Sequence, residues 1–220
     1  MGRHGVLGGT FDPIHVGHLD VARAAARALA LDDVQVMPSR IPPHRRPPQA
    51  SAEARLAMVR LAIADEPRFS ASDLELQTDA PSYTSATLDR LQASGVDLAS
   101  VFFITGADAF RDIATWRHYP AILDRCHFVA VSRPGCSASG LRAALPALAS
   151  RMVDATAPVP ARPAIVLVDA PTAPVSSTDI RARLAQGQSI AGLVPPAVAA
   201  YIESHGLYRS SRVKEQNGQG

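Results

Sequence analysis

Two histidines three residues apart, His15 and His18, stand in the stretch Gly8-Gly9-Thr10-Phe11-Asp12-Pro13-Ile14-His15-Val16-Gly17-His18. Val6-Leu7 before it reads as the end of a first strand. Leu19, Val21, Ala22, Ala25, Ala26 and Leu29 after it recur at helical spacing. The stretch is therefore a strand-to-helix turn, with the helix opening near Gly17 and His18. A helix start turns free N–H groups and a positive dipole end toward the turn. Glycines at 8, 9 and 17 keep side chains out of the way where a ligand needs room. Two imidazoles beside such a turn suit a polyphosphate. Neither GxGxxG nor a Walker A pattern is present.

Further clusters follow apolar runs. Pro38-Ser39-Arg40-Ile41-Pro42-Pro43-His44-Arg45-Arg46 is a proline-stiffened basic loop, and an arginine fork matches a phosphate. Ala80-Pro81-Ser82-Tyr83-Thr84 opens a helix, a fitting place for a carboxylate. Gly106 in Thr105-Gly106-Ala107-Asp108 allows close approach, and Asp108 can accept hydrogen bonds from a ribose. Trp116, the only tryptophan, has polar neighbours Arg117 and His118, which favours a pocket rim. Ser132-Arg133-Pro134-Gly135 closes another strand. Ser176-Ser177-Thr178-Asp179-Ile180-Arg181 starts a late helix, gathering several donors and placing Arg181 one turn in, toward the opening. Asp12, the nearest acid to the first turn, is expected to order it.

The elements that must hold these groups alternate. Strand signals fall at Val34–Met37, Val101–Ile104, Phe128–Val131 and finally Ile165–Val168; helical ones at Glu53–Ala64 and Thr84–Ala93. Fully apolar strands separated by helices indicate a doubly wound α/β domain with a mostly parallel sheet and a small C-terminal helical part. Ligands of such folds bind at the carboxyl ends of the strands, where the motif-bearing loops meet. Pro134 to Pro163 reads as a variable connection, with a helix over Leu141–Met152 weakened by Pro146.

The 220 residues, 47% hydrophobic and 19% charged, fit one domain over residues 1–208 with a disordered tail at 209–220. A net charge of +2 gives no ground for a nucleic-acid partner. Lys214 is the only lysine. Cys126 and Cys136 lack metal-ligand spacing, so no protein metal site is expected; with no signal peptide, they read as reduced thiols of a cytoplasmic protein. No apolar run approaches the roughly 20 residues of a membrane span.

GGTFDPIHVGH resembles the signature of the nucleotidyltransferase superfamily that carries the (T/H)xGH motif, and within it the bacterial nicotinate-nucleotide adenylyltransferases. Residues 176–181 resemble the second signature of that superfamily, with Val175 where isoleucine is usual. The pattern from Ser189 to Tyr208 is similar to that family's C-terminal helices and unlike the phosphopantetheine enzyme's. The resemblance spans about residues 5 to 208 and implies a Rossmann-like nucleotidyltransferase fold. It implies transfer of AMP from ATP to nicotinate mononucleotide, with release of pyrophosphate, in NAD biosynthesis.

Its implied ATP-binding residues are Gly8, Gly9, Thr10, His15, His18, Gly106, Asp108, Ser176, Ser177, Thr178 and Arg181, with His15, His18 and Arg181 catalytic. His44, Arg45, Thr84, Trp116, Arg117 and Arg133 would hold nicotinate mononucleotide: His44, Arg45 and Arg133 near its phosphate, Thr84 and the Arg117 N–H at the carboxylate, Trp116 stacked on the ring. Relatives often carry His or Tyr where Arg117 stands. The cofactor would be Mg²⁺ held by ATP phosphates and water. The partners would be the two nucleotides, with a homo-oligomer compatible with the sequence. A phosphopantetheine adenylyltransferase shares only the first motif. A class I aminoacyl-tRNA synthetase fragment should carry a lysine loop. A non-catalytic nucleotide module has no need of both histidines and Arg181.

Overall fold

A computed structural model describes residues 2–42 and 47–209. Seven strands form one sheet in the order β3-β2-β1-β4-β5-β7-β6. They are β1 (His4–Gly9), β2 (Asp33–Pro38), β3 (Phe69–Ala71), β4 (Val101–Gly106), β5 (His127–Val131), β6 (Met152–Asp154) and β7 (Ile165–Val168). All six pairings are parallel, so the sheet is parallel throughout its described strands.

Strand alternation explains the two-sided core. Leu7, Val34, Val36, Phe102, Ile104, Val129, Val131, Val166 and Val168 pack on one face; Val6, Met37, Val101, Phe103, Phe128, Ala130, Ile165 and Leu167 pack on the other. Each strand is apolar on both sides because helices cover both. The first face receives α1 (Val16–Leu29), α2 (Ala52–Ala62), α6 (Ser177–Ala185) and α7 (Pro196–Ser204). The second receives α3 (Thr84–Ala93) and the one-turn α4 (Ala107–Phe110). The chain leaves β1 toward β2 on one side and later returns to pair β4 on the other, so a switch-point crevice opens beyond Gly9 and Gly106.

Helix α1 begins at Val16 with His15 as its cap residue, beside Gly17 and His18 as expected. Other expectations are corrected. The strands Phe69–Ala71 and Met152–Asp154 were not anticipated; each is three residues long and forms one edge of the sheet. Leu141–Met152 is not one helix. The one-turn α5 covers Leu141–Ala144, Leu145 leaves helical geometry, and Pro146–Arg151 forms a 3-10 turn. Pro146 lacks the N–H that would continue the helix, and the α region is disfavoured for the residue before a proline. Helix α2 spans Ala52–Ala62, capped by Ser51, whose side chain accepts from the Ala54 N–H. Among the described residues no helix is long and apolar enough to cross a membrane. Cys126 and Cys136 are both unpaired thiols, and burial pushes Cys126 up to about 12. Residues 43–46, with His44 and Arg45, and residues 210–220 lie outside the described residues.

Candidate active site

The turn between β1 and α1 is braced through its own carbonyls. Arg55 Nη1 donates to Thr10 O at 2.7 Å, Arg181 Nη1 to Asp12 O at 2.7 Å, and Ser177 Oγ to Pro13 O at 2.9 Å. Asp12 is 5% exposed. Its carboxylate accepts from the Gln49 N–H at 2.8 Å, the Ala50 N–H at 3.0 Å and the Tyr208 hydroxyl at 2.8 Å. Asp12 thus orders the turn, and does so by tying it to the start of α2 and to the end of the described chain.

The glycines serve a purpose different from the open space expected of them. A Cβ on Gly9 would stand 2.7 Å from the Phe11 ring, and one on Gly17 would stand 2.9 Å from Arg133 Nη1. Protein groups fill these places. Phe11, buried and with φ of 48°, meets the edge of His18 at a centroid distance of 5.0 Å. Gly9 therefore lets Phe11 fold back beneath the histidine.

His15 and His18 stack at 3.6 Å with planes 23° apart. The His15 N–H donates to His18 Nδ1 at 3.3 Å, which makes Nδ1 an acceptor and leaves the neutral ring's proton on Nε2. His15 is 2% exposed. Burial first, and the Arg133 guanidinium second, lower its pKa to about 4, so it is neutral at physiological pH. His15 therefore stands in the stack as a neutral imidazole.

Helix α6 brings the second donor group to the same turn. Ser176 caps it, accepting from the Asp179 N–H at 3.1 Å while its hydroxyl donates to the Asp179 carboxylate at 2.7 Å. With the Ser177 hydroxyl on Pro13, the donors α6 offers a ligand are its first-turn N–H groups and the remaining Arg181 N–H groups. Arg181 is 23% exposed at its side chain and also reaches Thr178 Oγ1 at 3.4 Å.

Arg133 lies between these two elements. It donates to Gly17 O at 3.0 Å and to Val175 O at 3.3 Å, and its stem passes Gly106 close to the Asp108 carboxylate. Beside it is a shallow, open hollow of about 330 Å³ lined by Arg133, Pro134, Ala170, Pro171, Thr172 and Pro174.

Thr84, Trp116 and Arg117 form a separate group. The Arg40 N–H donates to Ser82 Oγ and the Ser82 N–H to Ile41 O, both at 2.9 Å, holding the start of α3 against the loop after β2. Tyr83 caps α3 with no side-chain bond to its N–H groups, so Thr84 opens a helix whose first-turn donors suit a carboxylate. The Arg117 guanidinium lies 5.0 Å from the centre of the Tyr83 ring, joining the Trp116 segment to α3. Trp116 is partly buried, edge-on to Phe103 at 6.5 Å and to Phe128 at 6.3 Å.

Two site residues had escaped the sequence reading. Arg55 is 1% exposed and shares the buried stripe of α2 with Met58, Val59 and Ala62. A charged residue at a core position of a helical pattern was the available signal. Burial lowers the Arg55 pKa, against the opposing pull of Asp12. Tyr208 sits 196 positions from its partner Asp12 and gives no local sequence signal. No cluster of three or more His, Cys, Asp or Glu suited to a metal occurs among the described residues, and the Asp12 carboxylate is already occupied by three donors.

Comparisons with known proteins agree with this architecture. The family model described as cytidylyltransferase-like matches residues 6–183. A protein of Roseiflexus sp. (strain RS-1) named "Probable nicotinate-nucleotide adenylyltransferase" is 45% identical over 211 residues, 93% of this chain and 97% of its own. One of the same name from Cronobacter sakazakii is 46% identical over 207 residues, 92% of this chain and 94% of its own. The solved structure of Plasmodium falciparum nicotinic acid mononucleotide adenylyltransferase complexed with NaAD superposes with a TM-score of 0.71 at 19% identity, covering 94% of this chain and 98% of that one, a likeness of fold. A parallel switch-point sheet, paired histidines and a second donor helix on one turn, and full-length relatives above 40% identity converge: the chain belongs to the cytidylyltransferase-like family, among its nicotinate-nucleotide adenylyltransferases.

Proposed function

We propose that this enzyme transfers AMP from ATP to nicotinate mononucleotide, forming nicotinate adenine dinucleotide and pyrophosphate, with the roles below. One observation carries the reading: the β1–α1 turn and the start of α6 are bonded to each other through Pro13–Ser177 and Asp12–Arg181, bringing two stacked imidazoles, helix-start N–H groups and a guanidinium to one place. A triphosphate is the ligand such a donor set fits.

The acceptor phosphate is anionic at neutral pH, so attack on the α-phosphorus needs no general base. Catalysis is alignment and stabilisation of charge on the transferring group and the leaving pyrophosphate. His15 and His18 donate to the α- and β-phosphate region, and the α6 N–H groups and Arg181 to the β- and γ-phosphates. Gly106 and Asp108 lie toward the ribose, and the proline-lined hollow beside Arg133 takes the adenine. Arg133 holds Gly17 and Val175 in place and stands near the acceptor phosphate. Thr84 and the Arg117 N–H receive the nicotinate carboxylate, and Trp116 covers the ring. Magnesium carried by phosphate oxygens and water would shield the triphosphate charge, the nearby side chains being nitrogen donors and an already satisfied carboxylate.

The test is stoichiometric. With ATP, Mg²⁺ and nicotinate mononucleotide together, pyrophosphate and nicotinate adenine dinucleotide should appear one for one, and neither should appear when one substrate is omitted. Pyrophosphate without the dinucleotide would refute the assignment.

A further inference from the structure

We propose that Tyr208 is a positioning residue for pyrophosphate: its hydroxyl occupies Asp12 and so keeps Arg181 from collapsing onto that carboxylate. The inference rests on the reading of Arg181 given above and adds to it a residue from the far end of the chain.

Asp12 has two arginine neighbours and three hydrogen-bond donors. Oδ1 accepts from the Ala50 N–H at 3.0 Å and from the Tyr208 hydroxyl at 2.8 Å; Oδ2 accepts from the Gln49 N–H at 2.8 Å. Arg181 Nη1 stays 3.8 Å from Oδ2 and takes the Asp12 carbonyl at 2.7 Å instead. A buried carboxylate beside a guanidinium normally forms a close bidentate pair. Here three other donors already share the carboxylate charge, two on Oδ1 and one on Oδ2, and the guanidinium, bonded to the Asp12 carbonyl, keeps donors to spare. The Tyr208 hydroxyl stays protonated, because burial and the Asp12 charge both raise its pKa.

The backbone records the same constraint. Tyr208 has φ of 64° and Phe11, next to Asp12, has φ of 48°, both in the left-handed region that non-glycine residues enter at a cost. The Tyr208–Asp12 bond joins two such segments across 196 positions. Leu207 and Tyr208 pack on the core face shared by α2 and α7, which fixes the ring from which the hydroxyl extends. Remove that hydroxyl and Oδ1 keeps, of its two donors, the Ala50 N–H. The freed charge draws Arg181 inward, away from the β- and γ-phosphates.

The experiment measures binding of inorganic pyrophosphate with Mg²⁺ by calorimetry, which needs no turnover. Tyr208→Phe keeps the ring and should weaken pyrophosphate about fivefold, less than the full worth of one hydrogen bond to a charged group because Arg181 is displaced rather than lost. It should raise KM for ATP by a similar factor and leave KM for nicotinate mononucleotide unchanged. In an Arg181→Ala background the same change should have no further effect on pyrophosphate, since the guanidinium it positions is gone. Site-specific 3,5-difluorotyrosine at 208, which keeps ring and hydroxyl, should bind pyrophosphate at least as well as the parent. Unchanged affinity in Tyr208→Phe, or an equal loss with and without Arg181, would overturn the proposal, as would weaker binding by the fluorinated protein. Failure of the parent enzyme to make the dinucleotide would count against the proposed reaction, and the pyrophosphate titrations would still decide the role of Tyr208.

Discussion

The two halves of the crevice are built on different principles. At the β1–α1 turn, three backbone carbonyls and one carboxylate are held by Arg55, Arg181, Ser177 and Tyr208, from three distant stretches of chain. Its key polar groups are nearly sealed, with His15, Asp12 and Arg55 at 2%, 5% and 1% exposure. The face bearing Thr84, Trp116 and Arg117 is held by shorter-range and softer contacts: a guanidinium on Tyr83, edge contacts of Trp116, and two bonds from the loop after β2. Transfer of an adenylyl group between phosphate oxygens tolerates little misplacement, and on the proposed reading the rigid turn preorganises its donors. Recognition of a flat ring requires a surface and a few donors. Chemistry and acceptor choice should therefore be separable by mutation.

His18→Ala is the strongest attempt to break the transfer half alone. It should lower kcat on the order of 10²–10³-fold, the usual cost of one preorganised donor, with a melting curve close to the parent's. Near-normal turnover would remove His18 from the site. Arg181→Ala should cost about tenfold or more in kcat/KM for ATP, through both constants, because a charge-assisted contact to pyrophosphate is lost. An unchanged ATP dependence would return Arg181 to a purely structural place on Asp12. Trp116→Ala probes the other half and should raise KM for the acceptor by several-fold to tenfold, with a smaller effect on ATP. Equal losses for both substrates would show that the halves are not separable.

At neutral pH the last effect vanishes, because it is on stability and confined to the acid side. Folding lowers the His15 pKa from 6.5 to about 4. The unfolded chain therefore binds an extra proton at this site between those values, and the native state loses stability as pH falls through that window. Above pH 6.5 and below pH 4 the site adds no slope. Denaturant titrations of His15→Asn should lack this acid-side loss relative to the parent, by at most about 1.4 kcal/mol per pH unit. Parallel pH profiles for the two proteins would refute a buried neutral His15.

The central strands and the β1–α1 turn are legible because their signals are local. Val101–Ile104 and Phe128–Val131 are apolar on both faces, and the two histidines follow a strand and precede a helical pattern within a dozen residues. The edge strands at 69–71 and 152–154 were not legible, since three residues exposed on one side carry no periodicity. Arg133 was read as an acceptor contact, yet its guanidinium joins Gly17 to Val175, a placement that depends on pairings 116 and 42 positions apart. The Asp12 brace was half legible: the acid could be singled out in the turn, but its partners Gln49, Ala50 and Tyr208 are set by the packing of α2 and α7.

The account is tested most directly by comparing kcat/KM for nicotinate mononucleotide and nicotinamide mononucleotide at saturating ATP. The two differ only in carboxylate against carboxamide. Helix-start N–H groups at Thr84 and the N–H of Arg117 present donors, and no Asp or Glu lies within 81–85 or 114–118 to receive an amide NH₂. An amide there leaves one donor facing another, so the carboxylate should be preferred by at least ~10-fold, the cost of about one mispaired buried group. Equal values, or a preference for the amide, would contradict the acceptor pocket.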